Sequence, residues 1–150
     1  MGKIVYQQLL GLSVTADATQ DVWSLMAGAS SPLLLWGFEL TSDAVASLII
    51  ECDLHRITAA GSGGAASTTE SLRDTRQSAP TGNMRTLDTT PGAATAGGGL
   101  HAWEWEQLGP VGIVYVPEMR PRIEVNTGVA FGWLTPSASV VSGWVCWEEL

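Results

Sequence analysis

Apolar and polar residues alternate with a period of two along most of the chain. In ASLIIECDLHRI, Ala46, Leu48, Ile50, Cys52 and Leu54 fall on one face. Ser47, Glu51, Asp53 and His55 fall on the other, with Ile49 the exception. This is the pattern of a long strand with one face on a core and the other toward water or a partner. LLLWGFEL, Leu33 to Leu40, is apolar at nearly every position, as expected of a strand covered on both faces. DVWSLMA, Asp21 to Ala27, predicts another strand, closed by the turn-rich GASSP. LHAWEWEQ then puts Trp103 and Trp105 on one face and Glu104 and Glu106 on the other. GIVYVP, RIEVN, VAFGWLTP and VVSGWVCWEEL follow. Pro110, Pro117, Pro121 and Pro136 fall between these runs, where a missing N–H costs no ladder bond. TSDAVASLI could open a helix capped by Ser42 or Asp43, but it merges into the strand alternation, which prevails. Roughly eight or nine strands with a turn about every 8–12 residues predict an all-β fold, a β-sandwich of jelly-roll or Greek-key type. The chain has no fixed-period repeat of the kind a propeller or solenoid needs.

From Ala59 to Gly99 the rhythm breaks. The segment opens with GSGGAASTT, and its sizeable apolar residues are Leu72, Met84 and Leu87. Its charges cancel, Arg73, Arg76 and Arg85 against Glu70, Asp74 and Asp88, so it lacks the net charge that drives disorder. Long structureless loops are uncommon inside compact domains unless they serve a function. The expectation is one sandwich domain over residues 1–150 with 59–99 a long extended arm that orders against a partner. Residues 1–18 are a candidate N-terminal extension. Arg73, Arg76 and Arg85 are the first candidate contacts with a subunit or capsid, and Arg120 and Arg122, flanking Pro121, the second.

Composition narrows the partners. The 150 residues carry a net charge of −8, one lysine and scattered arginines, which excludes the clustered basic footprint of a nucleic-acid binder. No signal peptide follows Lys3, and no run is long enough to span a bilayer, so synthesis in the cytoplasm is expected. Cys52 and Cys146 are far apart and read as two buried thiols, with a disulfide between facing strands as the alternative.

Candidate chemistry is sparse. Glu104 and Glu106 could be a carboxylate pair, but a solvated strand face produces the same spacing, and Glu148 and Glu149 read as surface residues. Cys52 and His55 are three apart and point to opposite faces, which argues against a nucleophile–base pair. GSGG and AGGG are not followed by the parts of a phosphate loop. No catalytic residue, metal ligand or cofactor is expected. The seven tryptophans are read as packing, in the core or between subunits, with a sugar-stacking platform as the competing use. The pairs in WEW and WVCW are each expected on one face. Trp103 and Trp105 are therefore added to the candidate contacts.

From about Thr19 onward the order of features resembles a family of small virion proteins of tailed bacteriophages that decorate or cement the capsid. The resemblance rests on LHRIT passing into GSGGAASTT, then TTPGAA, a tryptophan strand, LGPVG, VPEMRPRIEV and a terminal EEL. It implies a β-sandwich that forms a homo-oligomer, a trimer, on the head surface and contacts the major capsid protein or another virion protein. It brings no catalytic residues and marks GSGG and PEMRP for packing and contact. The tryptophan richness and the short segment Met1 to Thr15 depart from it, and they leave a fibre, tail or adaptor role open.

Overall fold

The computed structural model describes residues 2–16, 18–67, 70–74, 76–135 and 138–150. These form β1 (Lys3–Val14), β2 (Ala18–Met26), β3 (Leu33–Ser42), β4 (Ile49–Ala59), β5 (Ala65–Ala66) and β6 (Glu70–Leu72). They continue with β7 (Asn83–Asp88), β8 (Ala93–Glu106), β9 (Val111–Val114), β10 (Arg122–Ile123), β11 (Gly128–Thr135) and β12 (Ser139–Glu149). A single 3-10 turn, Pro117–Met119, lies between β9 and β10. Thr68, Thr69 and Pro136, which the sequence reading includes, lie outside the described residues.

All pairings are antiparallel. Sheet I runs β6–β1–β12–β3, with β9 and β10 sharing the far edge of β3, and sheet II runs β5–β7–β2–β11–β4–β8. Setting aside the two-residue β10 and the strands β5, β6 and β7 of the 59–99 segment leaves eight strands. Counted in chain order, they lie 1-8-3-6 in one sheet and 2-7-4-5 in the other. That order is a jelly roll, two interleaved Greek keys closed face to face.

The core lies between the sheets. Trp23, Phe38 and Phe131 pack at its centre, with ring centroids 5.1 Å apart for Trp23–Phe38 and 4.9 Å for Phe38–Phe131. The apolar run in β3 has a different cause from the one its composition suggested. A bulge opposite Cys146 and Trp147 puts Trp36 out of register, and the alternation changes phase there. Leu33 and Leu35 before it, and Phe38 and Leu40 after it, therefore all reach the same core. Trp144 and Trp147 separate for a simpler reason. Three residues along a strand reverse the face, so Trp147 is fully buried while Trp144 stays partly exposed on the outside. The expectation that WVCW shares one face is corrected.

Two further expectations change. Residues expected as an extension form β1, held between β12 and β6 with Val5 and Leu9 in the core. The strand read from Ala46 begins only at Ile49: TSDAVASLI forms no helix, as expected, but residues 43–48 are a loop in which Asp43 Oδ1 accepts the Val140 N–H at 2.8 Å and Val45 stands fully in solvent.

The described residues of the excursion pack on the protein's own body, where a partner was expected. It is inserted between two neighbouring strands of sheet II, β4 and β8, and travels to the opposite side of the sandwich. There β6 pairs with β1 and β7 pairs with β2, so one insertion extends both sheets at the same side. Strand edges left bare are sites of unwanted pairing, and this insertion covers two of them. It needs little apolar side chain because buried carboxylates hold its backbone. Asp21 Oδ2 accepts the Gly92 N–H at 2.7 Å, and Asp88 Oδ1 accepts the Gly64 N–H at 3.2 Å. Glu149 Oε1 accepts the N–H groups of Thr81 and Gly82 at 2.6 and 2.8 Å. GSGG is small for the same reason: a Cβ on Gly64 would collide with the Thr86 carbonyl, and Gly63 has φ +85°.

Candidate functional site

Each sheet turns one face outward, so the chemistry open to a partner lies on two surfaces. On sheet I, β1 presents Tyr6, Gln8 and Leu10 outward while Val5, Gln7 and Leu9 face in. Register sets Tyr6 beside Cys146, and Gln8, Trp144 and Glu39 side by side across three strands. Val114 follows on β9, opposite Gly37. Exposed Val116 and Met119 extend this surface past the sheet edge, where Tyr115 donates its N–H to the Trp36 carbonyl. The bulged Trp36 lies under the Arg120 guanidinium, 3.8 Å from the ring centroid, and donates Nε1–H to Glu148 Oε2 at 3.3 Å.

Arg73 and Arg120 flank this aromatic face, and among the described residues neither forms an ion pair. Both lie close enough to act on Cys146. Burial raises the Cys146 pKa, and the Tyr6 hydroxyl and the charges of Arg120 and Arg73 pull against that rise.

Sheet II presents carboxylates and small residues in place of aromatics. Glu51 and Asp53 on β4 face outward beside Ala102, Glu104 and Glu106 on β8. Glu51 is directly across from Glu104, and Asp53 is across from Ala102 on one side and Gly132 on the other. The small residues deepen this face into a trough of about 650 Å³, whose lining includes Glu51, Asp53, His55 and Glu104. His55 Nδ1 is 3.0 Å from Asp53 Oδ2. The bond to Asp53 raises the His55 pKa, burial opposes it, and the charges of Asp53 and Asp21 add to the rise. Burial raises the Asp21 pKa in turn, against the pull of the Gly92 N–H and of His55.

The sign of the linkage follows. A histidine with a raised folded pKa adds stability that is complete below its ordinary value, about 6.5, and is lost as pH rises through the folded one. Thermal stability should therefore decline from about pH 6 to 8, and His55→Gln should flatten that decline in melts taken across the range. An unchanged slope would assign the decline elsewhere.

The candidate contacts separate into two groups. Arg73 and Arg120 reach the outer face of sheet I. Arg85 does not: it forms a forked pair with Asp88, 2.8 Å at the closest approach, and Asp88 is buried. Arg76 is exposed and paired with Asp74, and Arg122 is paired with Glu124. Trp103 and Trp105 are corrected as contacts. They occupy the inward face of β8, with Trp105 3% exposed and its Nε1–H donated to the Gly109 carbonyl at 2.8 Å. Glu104 and Glu106 hold the outward positions, so the tryptophans between them must turn in. The aromatic residues that do face outward are Tyr6, Trp36 and Trp144. Strand parity could have identified Trp144 once Trp147 was assigned to the core; Tyr6 was hidden in a segment read as an extension.

The remaining reactive groups serve packing. His101 lies against Trp103 and Tyr115, with ring centroids 5.3 and 5.7 Å away. Both cysteines are free thiols, and the disulfide alternative does not arise because Cys52 is on the inner side of sheet II and Cys146 on the outer side of sheet I. Burial pushes the Cys52 thiol up to about 12, and its Sγ–H points at the Trp103 carbonyl, 3.7 Å away. Among the described residues no three His, Cys, Asp or Glu side chains are arranged to hold a metal ion. No helix among them is long and apolar enough to cross a membrane. Comparison of the chain with known protein families, with curated proteins and with solved structures finds no match.

Proposed function

We propose that the protein is a non-enzymatic structural protein of a tailed-phage virion, of the kind that decorates or cements the capsid, and that it oligomerises on the head surface. The outer face of sheet I carries this reading: Tyr6, Trp36 and Trp144 with exposed Val114, Val116 and Met119, bordered by Arg73 and Arg120. Apolar surface rich in aromatics and arginine is what protein interfaces are made of. PEMRP, one of the two stretches marked by the family resemblance, contributes Met119 and Arg120 to it. The jelly roll itself is common to capsid and lectin domains and speaks for neither alone. The acidic body suits a protein that must stay soluble and clear of packaged DNA until it finds its site.

The test is copurification. The protein is expected in heads of the phage that encodes it, in fixed stoichiometry to the major capsid protein by quantitative mass spectrometry. Heads lacking it should break at lower temperature. Absence from the particle would refute the reading, and a copy number of a fibre or adaptor would move the protein to those structures.

One observation favours a second reading, a glycan- or receptor-binding sandwich of a fibre or tail. Tyr6 and Trp144 border a cleft of about 640 Å³ that also includes Gln8 and Ser71, a ring-plus-amide arrangement suited to sugars. A saturable quench of tryptophan fluorescence by a glycan, lost in Trp144→Ala, would select it.

A further inference from the structure

We propose that the trough on sheet II binds a primary ammonium group, seated over Gly132 between Asp21 and Asp53. It lies on the sheet opposite the aromatic face and is independent of the assembly reading.

Strand register builds the seat. Asp88, Asp21, Gly132, Asp53 and Ala102 form one cross-strand row over β7, β2, β11, β4 and β8. Gly132 leaves the middle of the row without a side chain, and the carboxylates on either side lean over it. Asp21 Oδ1 is 3.1 Å from the place a Cβ on Gly132 would take, and Asp53 Oδ1 is 3.4 Å from it. The other oxygen of each is already engaged. Asp21 Oδ2 accepts the Gly92 N–H at 2.7 Å, and Asp53 Oδ2 stands 3.0 Å from His55 Nδ1. Each carboxylate thus holds the protein with one oxygen and turns the other to a common point.

Asp21 distinguishes this row from a set of surface acids. It is 2% exposed, yet it lines the trough, and among the described residues its Oδ1 accepts no hydrogen bond. Burial makes an unmatched carboxylate oxygen costly. Its neighbour Asp88 is matched by the forked Arg85. Among the described residues the one ion pair at Asp21 or Asp53 is that of His55 with Asp53.

The geometry selects the cation. A divalent metal takes about six or more oxygens, and among the described residues no three His, Cys, Asp or Glu side chains are arranged to hold one. A guanidinium pairs best with both oxygens of one carboxylate, and here the second oxygen of each is taken. An ammonium is a compact charge with three donors on one nitrogen, so it can bond two oxygens that approach from opposite sides. Pro91 and Ala102 line the same trough and offer an apolar wall to an aliphatic stem. Glu51 and Glu104, cross-strand neighbours in the same lining, add negative charge that favours a second ammonium on that stem.

Calorimetric titration of the full chain at pH 8 and low salt, with the Gly132 and Gly92 amide resonances as local reporters, tests the site. n-Butylamine should bind saturably and putrescine more tightly. A blocked lysine that binds more tightly than n-butylamine assigns the seat to a protein side chain, and weaker binding assigns it to a free amine; both support the site. n-Butyltrimethylammonium keeps the charge but has no N–H, and it should bind at least about tenfold more weakly than n-butylamine. Gly132→Ala puts a methyl in the seat without changing charge, and Asp53→Asn removes one charge from a half-exposed position. Each should weaken binding at least about tenfold, with melting curves verifying the fold. Glu106→Gln removes an equal charge outside the row and should weaken it less than about twofold. If Gly132→Ala fails to fold, Asp53→Asn and the trimethylated amine decide. Equal binding of the trimethylated amine, or undiminished binding by Asp53→Asn, would overturn the proposal by reducing the trough to a diffuse negative field. Displacement of n-butylamine by a lower concentration of calcium or magnesium would overturn it in favour of a metal. So would the absence of a saturable response to any amine.

Discussion

Trp23→Ala should cost about 4 kcal/mol of folding stability, the largest loss expected from any single change in the chain. The indole is fully buried, edge-on to Phe38 at 5.1 Å and stacked with Phe131 at 6.3 Å, and so touches strands of both sheets. Truncation would empty the place where the two sheets interlock, and neither neighbouring ring can turn to fill it without abandoning its own contacts. For a domain of this length the loss corresponds to a fall in Tm of roughly 8–16 °C. Trp23 Nε1 has no hydrogen-bond partner among the described residues, so replacing the indole by a phenyl ring removes volume but breaks no polar contact. Trp23→Phe should therefore lose less than half as much. Calorimetric melts of both variants decide the point. A loss below about 1.5 kcal/mol in Trp23→Ala would place the centre of the core elsewhere.

That prediction depends on which tryptophans are inside, and period-two reading gave much of the answer. It placed the inner row Ile50, Cys52 and Leu54 and the outer row Glu51 and Asp53 correctly, because β4 has a regular pleat there and one face on the core. It paired Trp103 with Trp105 against Glu104 and Glu106, which the structure repeats. What it lacked was the direction. A row of tryptophans and a row of glutamates both make plausible outer faces when a partner is imagined, and burial chose the glutamates to stay out. The bulge at Trp36 was illegible for another reason: it inserts one residue, reverses the phase, and makes a half-turned strand look apolar on both sides.

The excursion was the least legible part, since its strands are made by backbone rather than by side-chain pattern. Between Ala59 and Gly99 the residues that hold the chain in place are small ones that let backbones approach and acids that lie mostly elsewhere in the sequence. Asp21 and Glu149 act on it from 71 and 67–68 residues away. No local window contains that information. The consequence is that the expected arm is spent on covering the edges of its own sheets, and the outer faces of the two sheets are left open.

Glu149→Ala should release this arrangement at one point and cost about 3 kcal/mol. The sequence reading left Glu149 with the surface residues at the C-terminus, yet it is 2% exposed. One carboxylate oxygen takes both the Thr81 and Gly82 N–H groups, and Lys3 Nζ stands 3.2 Å from the other, so three segments meet on a single side chain. Alanine leaves two backbone donors without their acceptor, which burial makes costly, and takes from Lys3 its ion pair, though its ammonium keeps the Ala79 carbonyl at 3.2 Å. Glutamine keeps an oxygen for the two N–H groups and loses only the charge, so Glu149→Gln should cost about 1 kcal/mol. Hydrogen exchange separates a local from a global effect. The amides of Thr81 and Gly82 should exchange much faster in Glu149→Ala, while those of Val129 and Phe131 in β11 should follow only the fall in global stability. Unchanged protection at Thr81 and Gly82 would mean that β6 and β7 hold the loop without the carboxylate, and that the excursion is fixed by its strand pairing alone.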